Sequence, residues 1–449
     1  MQYDSSSPGR VSWSHIIFST SISPRRVCYY VQMARLSEIL RERGYVYQHS
    51  SEKLEEITDG AKRTLYLGID PSADSLHVGQ LQAFLILRRF LEDGHKVILL
   101  TGGATGMIGD PSGKSAERAL LDAETVARNS EMISKQAKRL LGKSDFTSLN
   151  NAEWLEKIKL IDFLRDVGKS FSVNAMIQRD FVKERLANPE QGISYTEFSY
   201  SLLQAYDYWH LHKHYKCDVE VGGSDQWGNI VSGVDFIRRK EGGIVYGLTW
   251  PLLVDKGGKK FGKSEQGTIW LDPAKTSPFQ FYQFWLNSAD DAVEEYLLKM
   301  TTISESEIRM TITEHKKNPG ERNAQKKLAH EVTRLVHGDD IAKIAEDVSC
   351  VLFGKKEAKE LSASEREMLQ KEAPSCEVRL GESMIDVLVK AELAKSRREA
   401  RQFIEDGAVT MNGAKVSGID RVMMHEDFQD VPLAVLTRGK RNVIVLTLG

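Results

Sequence analysis

The sequence predicts an α/β protein whose largest unit is an open, doubly wound parallel sheet of the Rossmann-like type. Thr64–Ile69 and Lys96–Thr101 are apolar runs of strand length, and residues 78–93 between them carry apolar side chains at helical spacing. A strand, a helix and a strand in this order form a βαβ unit with parallel strands. Ligands of such sheets bind outside the carboxyl ends of the strands, so we expect chemistry in the loops that follow Ile69 and Thr101.

The chain has 449 residues, which at roughly 150 residues per domain predicts about three domains. The 61 Lys and Arg against 63 Asp and Glu leave a net charge of -2, so any contact with nucleic acid must come from a local basic patch. No apolar run approaches the ~18 to 20 residues that span a bilayer, which argues against an integral membrane protein. The four cysteines are far apart without a CxxC pair, which indicates a reducing compartment and neither a disulfide framework nor a cysteine-rich zinc site: Cys28, Cys217, Cys350 and Cys376.

The first 32 residues are rich in Ser and contain Arg10, Arg25 and Arg26 against the single acid Asp4. This composition fits a mitochondrial or plastid transit peptide. Two other interpretations are a translation start at Met33 and a disordered tail. We favour these two and therefore expect a cytoplasmic protein, with the mitochondrial matrix or a plastid as the alternative if the segment is a transit peptide.

The rest of the chain divides by composition. Between Ser304 and Cys376 Glu and Lys dominate, which is typical of amphipathic helices with solvated faces. The predicted units are a catalytic α/β domain with a helical insertion (33–255), a basic loop and α-helical domain (256–373), a linker (374–381) and a small α+β unit (382–449).

One candidate metal site is present. His210 and His214 would share a helix face, with Cys217 nearby. Without a Glu beside them a solvated helix face is the favoured interpretation, and we expect no bound structural metal.

Glycine-rich loops point to a nucleotide. Residues 102–114 contain enough glycine for close backbone approach to a ligand, and Asp110 and Lys114 add both signs of charge. Neither GxxxxGK[ST] nor GxGxxG is present, so the phosphates must be held in another way. At the start of the predicted helix His77 and Gln80 can donate to phosphate, while Gly79 lets the ligand approach the helix terminus.

A second basic loop lies far along the chain. Residues 256–264 (KGGKKFGKS) combine glycines with lysines and the hydroxyl of Ser264. The loop is either an exposed hairpin turn or one half of a clamp that closes on a triphosphate. Its basic residues are Lys256, Lys259, Lys260 and Lys263.

Five motifs in order resemble the class I tyrosyl-tRNA synthetases of bacterial and organellar type. Residues 77–80 (HVGQ) resemble the first signature of the class, HIGH, and residues 260–264 (KFGKS) resemble the second, KMSKS. Residues 65–71, 196–207 and 221–229 resemble this family in particular. The resemblance extends from about Met33 to the C-terminus.

The resemblance implies roles by position. The pair that binds the substrate phenol is Tyr66 and Asp207. The groups that hold its ammonium are Asp110, Tyr200 and Gln204. Gln226 matches a contact near the carboxylate and Asp225 a ribose contact. The remaining ATP contacts are Gly68, Asp70, His77, Gly79, Gln80, Lys260, Lys263 and Ser264, of which His77, Gln80, Lys260, Lys263 and Ser264 act in catalysis.

These roles agree with the residue types. A carboxylate and a tyrosine hydroxyl at the end of an apolar pocket select a phenol. Tyr200, Gln204 and Asp207 stand at i, i+4 and i+7, so one helix face presents all three, although Tyr200 and Gln204 would also suit simple packing. The sequence departs from the family at Gln80, which replaces a histidine, and at residues 261–262, where Phe-Gly replaces Met-Ser.

The C-terminal unit resembles the S4 RNA-binding domain over residues 383–413. Its helix start gathers four basic residues that suit phosphate, or simply form a solvated helix face: Lys395, Arg397, Arg398 and Arg401.

The resemblance implies activation of L-tyrosine by ATP with Mg²⁺, transfer to tRNA-Tyr, and a homodimer. A tryptophanyl-tRNA synthetase is the nearest alternative, and Tyr66 with Asp207 and the S4-like unit argue against it. A non-catalytic RNA-binding protein on the same scaffold is the second alternative, and the intact signatures argue against that.

Overall fold

The computed structural model describes residues 34–112, 121–142, 145–187, 192–253, 261–264, 267–353, 360–428, 432–439 and 442–449. Residues 1–33, Lys114 and the loop lysines Lys256, Lys259 and Lys260 lie outside this set, as do the side chains of Lys263 and Ser264. Within the described parts of the chain, no helix combines the length and apolar character that a membrane span requires.

The first half of the chain is built on a sheet of six described strands: β1 (Gln48–His49), β2 (Thr64–Ile69), β3 (Lys96–Thr101), β4 (Thr147–Asn150), β5 (Val219–Gly223) and β6 (Tyr246–Trp250). Their order is β1-β6-β5-β2-β3-β4. Strands β2 to β6 run parallel and β1 pairs antiparallel with β6 at the edge. The chain moves outward from β2 in one direction and from β5 in the other, which confirms the doubly wound sheet and puts its switch point between β2 and β5.

Helices cover this sheet: α1 (Leu36–Glu42), α2 (Glu55–Thr58), α3 (Val78–Glu92), α4 (Thr105–Ile108), α5 (Ala123–Leu141), α6 (Ala152–Leu155), α7 (Leu160–Asp166), α8 (Val173–Ile177), α9 (Asp180–Ala187), α10 (Tyr195–Tyr215) and α11 (Trp227–Glu241).

The predicted βαβ unit is β2-α3-β3. Both strands have the predicted bounds, and they pair in parallel with Leu65 opposite Val97. Helix α3 ends one residue before the predicted Asp93, which is its C-cap. Leu81 and Phe84 on α3 are fully buried, as the helical spacing predicts.

The glycine-rich loop after β3 contains the single helical turn α4. Gly106 in this turn lies against Pro71: a Cβ there would be 3.0 Å from Cδ of the proline ring. The glycine thus allows α4 to pack on the loop that follows β2.

The second half begins with α12 (Pro278–Leu286) and α13 (Val293–Met300). The segment predicted to form amphipathic helices then contains α14 (Glu305–Lys317), α15 (Asn323–His337), α16 (Asp339–Leu352) and α17 (Ala363–Glu372). A short antiparallel ribbon precedes them: β7 (Lys263–Ser264) and β8 (Gly267–Thr268). Arg43, 2% exposed, ties the N-terminal part to these helices because its guanidinium donates to the carbonyl oxygens of Leu298 and Thr301, at 2.8 and 2.9 Å.

The C-terminal unit has its own core. It contains α18 (Met384–Lys390), α19 (Arg397–Glu405) and a second sheet of β9 (Ser375–Val378), β10 (Val409–Met411), β11 (Ala414–Lys415), β12 (Leu433–Arg438) and β13 (Asn442–Leu448) in the order β11-β10-β12-β13-β9.

The prediction of a linker at 374–381 is wrong, because β9 lies inside this segment and pairs in parallel with β13. Cys376 and Val378 are buried while Ser375 and Glu377 are exposed. This alternation is the period of a half-buried strand, and it is too short to stand out in a segment that begins with proline. The domain bounds otherwise remain a prediction.

Candidate active site

A pocket of about 300 Å³ opens at the switch point, where the carboxyl ends of β2 and β5 meet. The structure brings together here every predicted tyrosine and ATP contact outside the basic loop. Lining the pocket are Tyr66, Gly68, Asp70, His77, Gly79, Gln80, Asp110, Tyr200, Gln204, Asp207, Asp225 and Gln226.

Asp207 lies on α10 in this pocket and is only 2% exposed. Nδ2 of Asn151 donates to Oδ2 of Asp207 at 2.9 Å, and Nε1 of Trp154 donates to Oδ1 at 2.7 Å. Burial raises the pKa of Asp207 to about 8, although these two hydrogen bonds oppose the rise. The carboxylate is therefore held in one orientation, in a dry environment, with capacity to accept a further hydrogen bond.

Tyr66 lies on β2 and lines the same pocket, and its ring packs against Tyr208 with the centroids 5.3 Å apart. The side chain is 1% exposed, and its hydroxyl makes no hydrogen bond of normal geometry to a described residue, although the nearby Glu220 carboxylate adds to burial in raising the pKa of Tyr66. A buried hydroxyl without a partner costs free energy unless a ligand supplies one. Tyr66 and Asp207 thus offer a donor and an acceptor to a polar group inside the pocket.

Three carboxylates surround the middle of the pocket. The hydroxyl of Tyr200 donates to Oδ2 of Asp70 at 2.8 Å, and Nε2 of Gln226 donates to Oδ2 of Asp110 at 2.7 Å. Burial raises the pKa of Tyr200 well above its usual value, and the charges of Asp70 and Asp110 add to the effect. Together with Asp225 these carboxylates make this region suited to a cation.

Glu220 on β5 also lines the pocket and is 1% exposed. Nε2 of Gln204 donates to its Oε1 at 2.8 Å. Burial raises the pKa of Glu220 to about 7.

Three further residues of the site were not predicted from the sequence: Glu220, Asn151 and Trp154. A glutamate between two valines of a strand suggests the solvent face of the sheet, so the pattern carried no signal of a site for Glu220. Asn151 and Trp154 follow β4, and the rule that ligands bind beyond strand ends could have identified them.

The N-terminus of α3 carries the first signature. The backbone N–H of Gly79 donates to Nδ1 of His77 at 3.1 Å, and the backbone N–H of His77 donates to Oε1 of Gln80 at 3.1 Å. This reciprocal capping leaves Nε2 as the donor nitrogen of each side chain. A Cβ at Gly79 would lie 3.0 Å from the carbonyl oxygen of Phe261, so glycine is required where the two signatures meet.

The second signature contacts the first through the two residues that depart from the family. Gly262 has φ +95°, and a Cβ there would lie 2.8 Å from Cγ2 of Val78. The ring of Phe261 packs among Phe284, Trp285 and Tyr296. Phe261 thus anchors the loop in an aromatic cluster, and Gly262 lets its backbone approach α3.

The predicted RNA-binding residues lie apart from the pocket, on the C-terminal unit. Lys395, Arg397, Arg398 and Arg401 are all exposed around the start of α19. Arg397 forms an ion pair with Asp386 of α18.

The two histidines of the candidate metal site have other contacts. The rings of His210 and His214 are 4.4 Å apart, and His210 stacks on Trp154 at 4.2 Å. Burial lowers the pKa of His210 to about 4, so its ring is neutral at pH 7. The described residues contain no group of three side chains suited to hold a metal ion.

Comparison with protein families gives two matches. Residues 58–354 match the model described as tRNA synthetases class I (W and Y), and residues 365–446 match the tyrosine--tRNA ligase SYY-like C-terminal domain. Tyrosine--tRNA ligase of Roseiflexus castenholzii is 45% identical over 426 residues, covering 93% of this chain and 100% of that protein. Tyrosine--tRNA ligase 1 of Bacillus subtilis is 45% identical over 424 residues, covering 92% and 100%.

Comparison with solved structures also finds tyrosyl-tRNA synthetases. A C-terminally truncated mitochondrial tyrosyl-tRNA synthetase of Aspergillus nidulans superposes with a TM-score of 0.65 at 32% identity, covering 71% of this chain and 94% of that one. The truncated mitochondrial enzyme of Coccidioides posadasii has a TM-score of 0.62 at 33% identity, covering 70% and 91%.

Proposed function

The chain belongs to the tyrosyl-tRNA synthetases of class I, which activate L-tyrosine with ATP and transfer it to tRNA-Tyr, and we propose how its pocket performs this reaction. The single observation that carries the proposal is that Tyr66 and Asp207 both line the pocket. One is a buried hydroxyl that makes no hydrogen bond of normal geometry to a described residue, and the other is a buried carboxylate held by two donors.

The substrate phenol binds between these two groups. It donates its proton to Asp207 and accepts from Tyr66, so both buried groups are satisfied. Phenylalanine would leave both unpaired, and such pockets reject the analogue that lacks the hydroxyl, a principle for which this family is itself a known example. Because the phenol lies at Asp207, the amino acid extends toward the three carboxylates in the middle of the pocket.

Asp110, Tyr200 and Gln204 hold the ammonium. Tyr200 and Gln204 stand one helical turn apart on α10, and Asp110 is held by Gln226 from the opposite side. Gln226 thereby lies next to the expected position of the substrate carboxylate. A cation among these groups is favoured by the nearby negative charges.

ATP lies along the N-terminus of α3. The donor nitrogens of His77 and Gln80 and the positive end of the helix suit the phosphates, while Gly79 permits close approach. Gly68 and Asp70 border the same part of the pocket, and Asp225 suits a ribose hydroxyl. Lys260, Lys263 and Ser264 of the second signature would complete the phosphate contacts.

The activation step needs no protein nucleophile. A carboxylate oxygen of tyrosine attacks the α-phosphorus of ATP, the bond to the bridging oxygen breaks, and pyrophosphate leaves with that oxygen. Catalysis comes from alignment of the two substrates and from donors that stabilise the charge developing on pyrophosphate. The adenylate then acylates the 3′-terminal ribose of tRNA-Tyr.

Mg²⁺ enters as part of the ATP substrate. The described residues contain no cluster of three metal-binding side chains, and Mg²⁺ in nucleotide sites is bound largely by phosphates, water and one or two carboxylates. Asp70 lines the pocket beside the expected position of ATP and is the carboxylate that fits this description.

The experiment is amino-acid-dependent pyrophosphate exchange with tyrosine, tryptophan and phenylalanine. We expect exchange with tyrosine alone, and Asp207→Ala and Lys263→Ala should each abolish it while tRNA-Tyr binding stays largely intact. Exchange that persists unchanged in both variants would refute the assigned roles, and exchange with tryptophan alone would refute the phenol site.

A second copy of the chain covers the exposed apolar face of the helical insertion. None of the residues of α7 is buried, and Leu160 and Ile161 are 69% and 71% exposed. Val173 on α8 is 57% exposed. Patches of this kind mark interaction surfaces, and a homodimer is the proposed occupant.

Sedimentation velocity tests the homodimer. Ile161→Asp should shift the protein to the monomer, whereas Ile244→Asp, at a loop residue that is 78% exposed, should leave the dimer intact. A monomeric wild type, or a dimer insensitive to Ile161→Asp, contradicts the assignment.

The body of tRNA contacts the basic cluster of α19.

The reaction takes place in the cytoplasm. The similarity to the Bacillus subtilis ligase supports this compartment. Mass spectrometry of the native N-terminus tests it: a chain that starts at Met33 agrees with the cytoplasm, whereas a longer precursor cleaved near residue 32 indicates import into an organelle.

A further inference from the structure

The pocket contains one buried carboxylate to which the proposed reaction gives no role. Glu220 is 1% exposed, lies on the buried strand β5 and lines the pocket. A carboxylate at this depth is unfavourable unless it is hydrogen-bonded or serves the site.

The hydrogen bond of Glu220 determines the orientation of a neighbouring amide. Nε2 of Gln204 donates to Oε1 of Glu220 at 2.8 Å and approaches Oε1 of Gln226 at 3.5 Å. Both partners are acceptors, so the nitrogen of Gln204 is turned toward them. Its carbonyl oxygen makes no hydrogen bond to any described residue and is left for a donor that enters the pocket.

The carboxylate of Glu220 is itself held by packing. A Cβ at Gly233 of α11 would lie 3.2 Å from its Oε2 and 2.8 Å from Cδ1 of Tyr208. Only glycine leaves room there for both side chains. The side chain of Glu220 is therefore confined from the side of α11.

We propose that Glu220 is a positioning residue for substrate binding: it orients Gln204 so that the amide carbonyl accepts a hydrogen bond from the ammonium of tyrosine. The carboxylate accepts from Nε2 and so favours this orientation of the amide, and a protonated carboxyl still presents one carbonyl oxygen to Nε2. The inference rests on the proposed role of Gln204 at the ammonium.

Glu220→Gln tests the proposal because it keeps the size of the side chain but introduces a competing N–H₂ group beside Nε2 of Gln204. The ligands are L-tyrosine, tyramine, which keeps the ammonium and phenol, and 3-(4-hydroxyphenyl)propanoate, which lacks the ammonium. Calorimetry should show that the Kd of tyrosine and of tyramine rises about tenfold, as expected when a charge-assisted hydrogen bond is removed. The Kd of the propanoate should change by less than about twofold, on the same scale.

A comparison of Gln204→Ala with the double variant Gln204→Ala, Glu220→Gln distinguishes two effects of Glu220. One is orientation of the Gln204 amide, and the other is direct attraction between the Glu220 charge and the ammonium. If Glu220 acts through Gln204, the effect of Glu220→Gln on tyramine disappears in the Gln204→Ala background. An effect that persists there shows that Glu220 acts on the ammonium directly, and it overturns the positioning role. Equal weakening of all three ligands, or no change, also overturns it.

A control variant is available, and failure of the role proposed for Gln204 can be told apart from failure of the role proposed for Glu220. Glu331→Gln changes a carboxylate that is 7% exposed and hydrogen-bonded to Arg334 on α15, away from the pocket, and should leave all three Kd values unchanged. If Gln204→Ala alone does not weaken tyramine, the proposed role of Gln204 fails. If it does and Glu220→Gln does not, only the inference about Glu220 fails.

Discussion

Nε1 of Trp154 donates a 2.7 Å hydrogen bond to Oδ1 of Asp207. The indole can only donate, so it fixes the orientation of this carboxylate oxygen. Asn151 holds the second oxygen at 2.9 Å. The acceptor proposed for the substrate phenol is therefore positioned by two residues that precede or lie on the short helix α6.

Trp154→Phe removes one of these donors and keeps most of the packing. We expect the KM for tyrosine in pyrophosphate exchange to rise about 10- to 100-fold, because a buried acceptor that loses its donor costs about 1–3 kcal/mol. The KM for ATP should remain unchanged. Trp209→Phe is the matched control, since Nε1 of Trp209 also donates to a carboxylate at 2.7 Å, that of Glu241, but outside the pocket. Equal effects of the two variants would contradict the role of Trp154.

Gly262→Ala should weaken the use of ATP. The residue has φ +95°, and the new methyl group would meet Val78 at 2.8 Å and the backbone nitrogen of Gly79 at 3.2 Å. The second signature would then move away from α3, so we expect a higher KM for ATP and a lower kcat in exchange.

Tyrosine binding without ATP is the internal control for this variant, and calorimetry should show an unchanged Kd. Gly267→Ala imposes a similar backbone strain at φ +113° but meets no atom within 4 Å. A loss of ATP affinity in Gly267→Ala as large as that in Gly262→Ala would show that strain alone, and not contact with α3, is responsible.

Glu220→Gln should change how stability depends on pH. Burial raises the pKa of Glu220 from an unfolded value near 4.5 to about 7. Between these values the folded protein retains a proton that the unfolded chain releases, so the wild type loses stability as pH rises through this interval. Glutamine does not titrate, and the variant should gain relative to the wild type from pH 5 to pH 7, by about 3 kcal/mol at most.

The difference in Tm between the two proteins at pH 5, 6, 7 and 8 measures this effect. Glu331→Gln should change the pH dependence of stability in the opposite direction. Burial alone would raise the pKa of Glu331, but hydrogen bonds with Arg334 and Lys327 hold that pKa below its usual value. That variant should lose stability above pH 5, and the loss should shrink at lower pH. A Tm difference for Glu220→Gln that does not vary with pH would contradict the raised pKa.

Arg398→Ala with Arg401→Ala tests the basic cluster of α19. Both side chains are exposed, and the removal of each phosphate-binding arginine should reduce the salt dependence of tRNA binding by about one in the log–log slope. We expect a higher KM for tRNA-Tyr in aminoacylation and unchanged pyrophosphate exchange. Arg238→Ala, an exposed arginine on α11, serves as the control. An unchanged salt dependence of tRNA binding in the double variant would remove α19 from the interface.

The sequence predicted those strands and helix faces that are encoded in consecutive residues. The strands Thr64–Ile69 and Lys96–Thr101 have the predicted bounds, and the face shared by Tyr200, Gln204 and Asp207 is a property of helical spacing. The strand Ser375–Val378 was missed because it pairs with β13, about seventy residues later in the chain, and four residues without that partner resemble a linker.

The sequence by itself determined the family, the doubly wound sheet and the predicted tyrosine and ATP contacts, because each of these is encoded in motifs or in periodicity. Only the tertiary structure decided which groups hold those residues. Trp154 and Asn151 meet Asp207 from another helix, and Glu220 meets Gln204 from a strand. Such contacts join distant parts of the chain, and no local pattern specifies them because they depend on how the sheet and its helices pack.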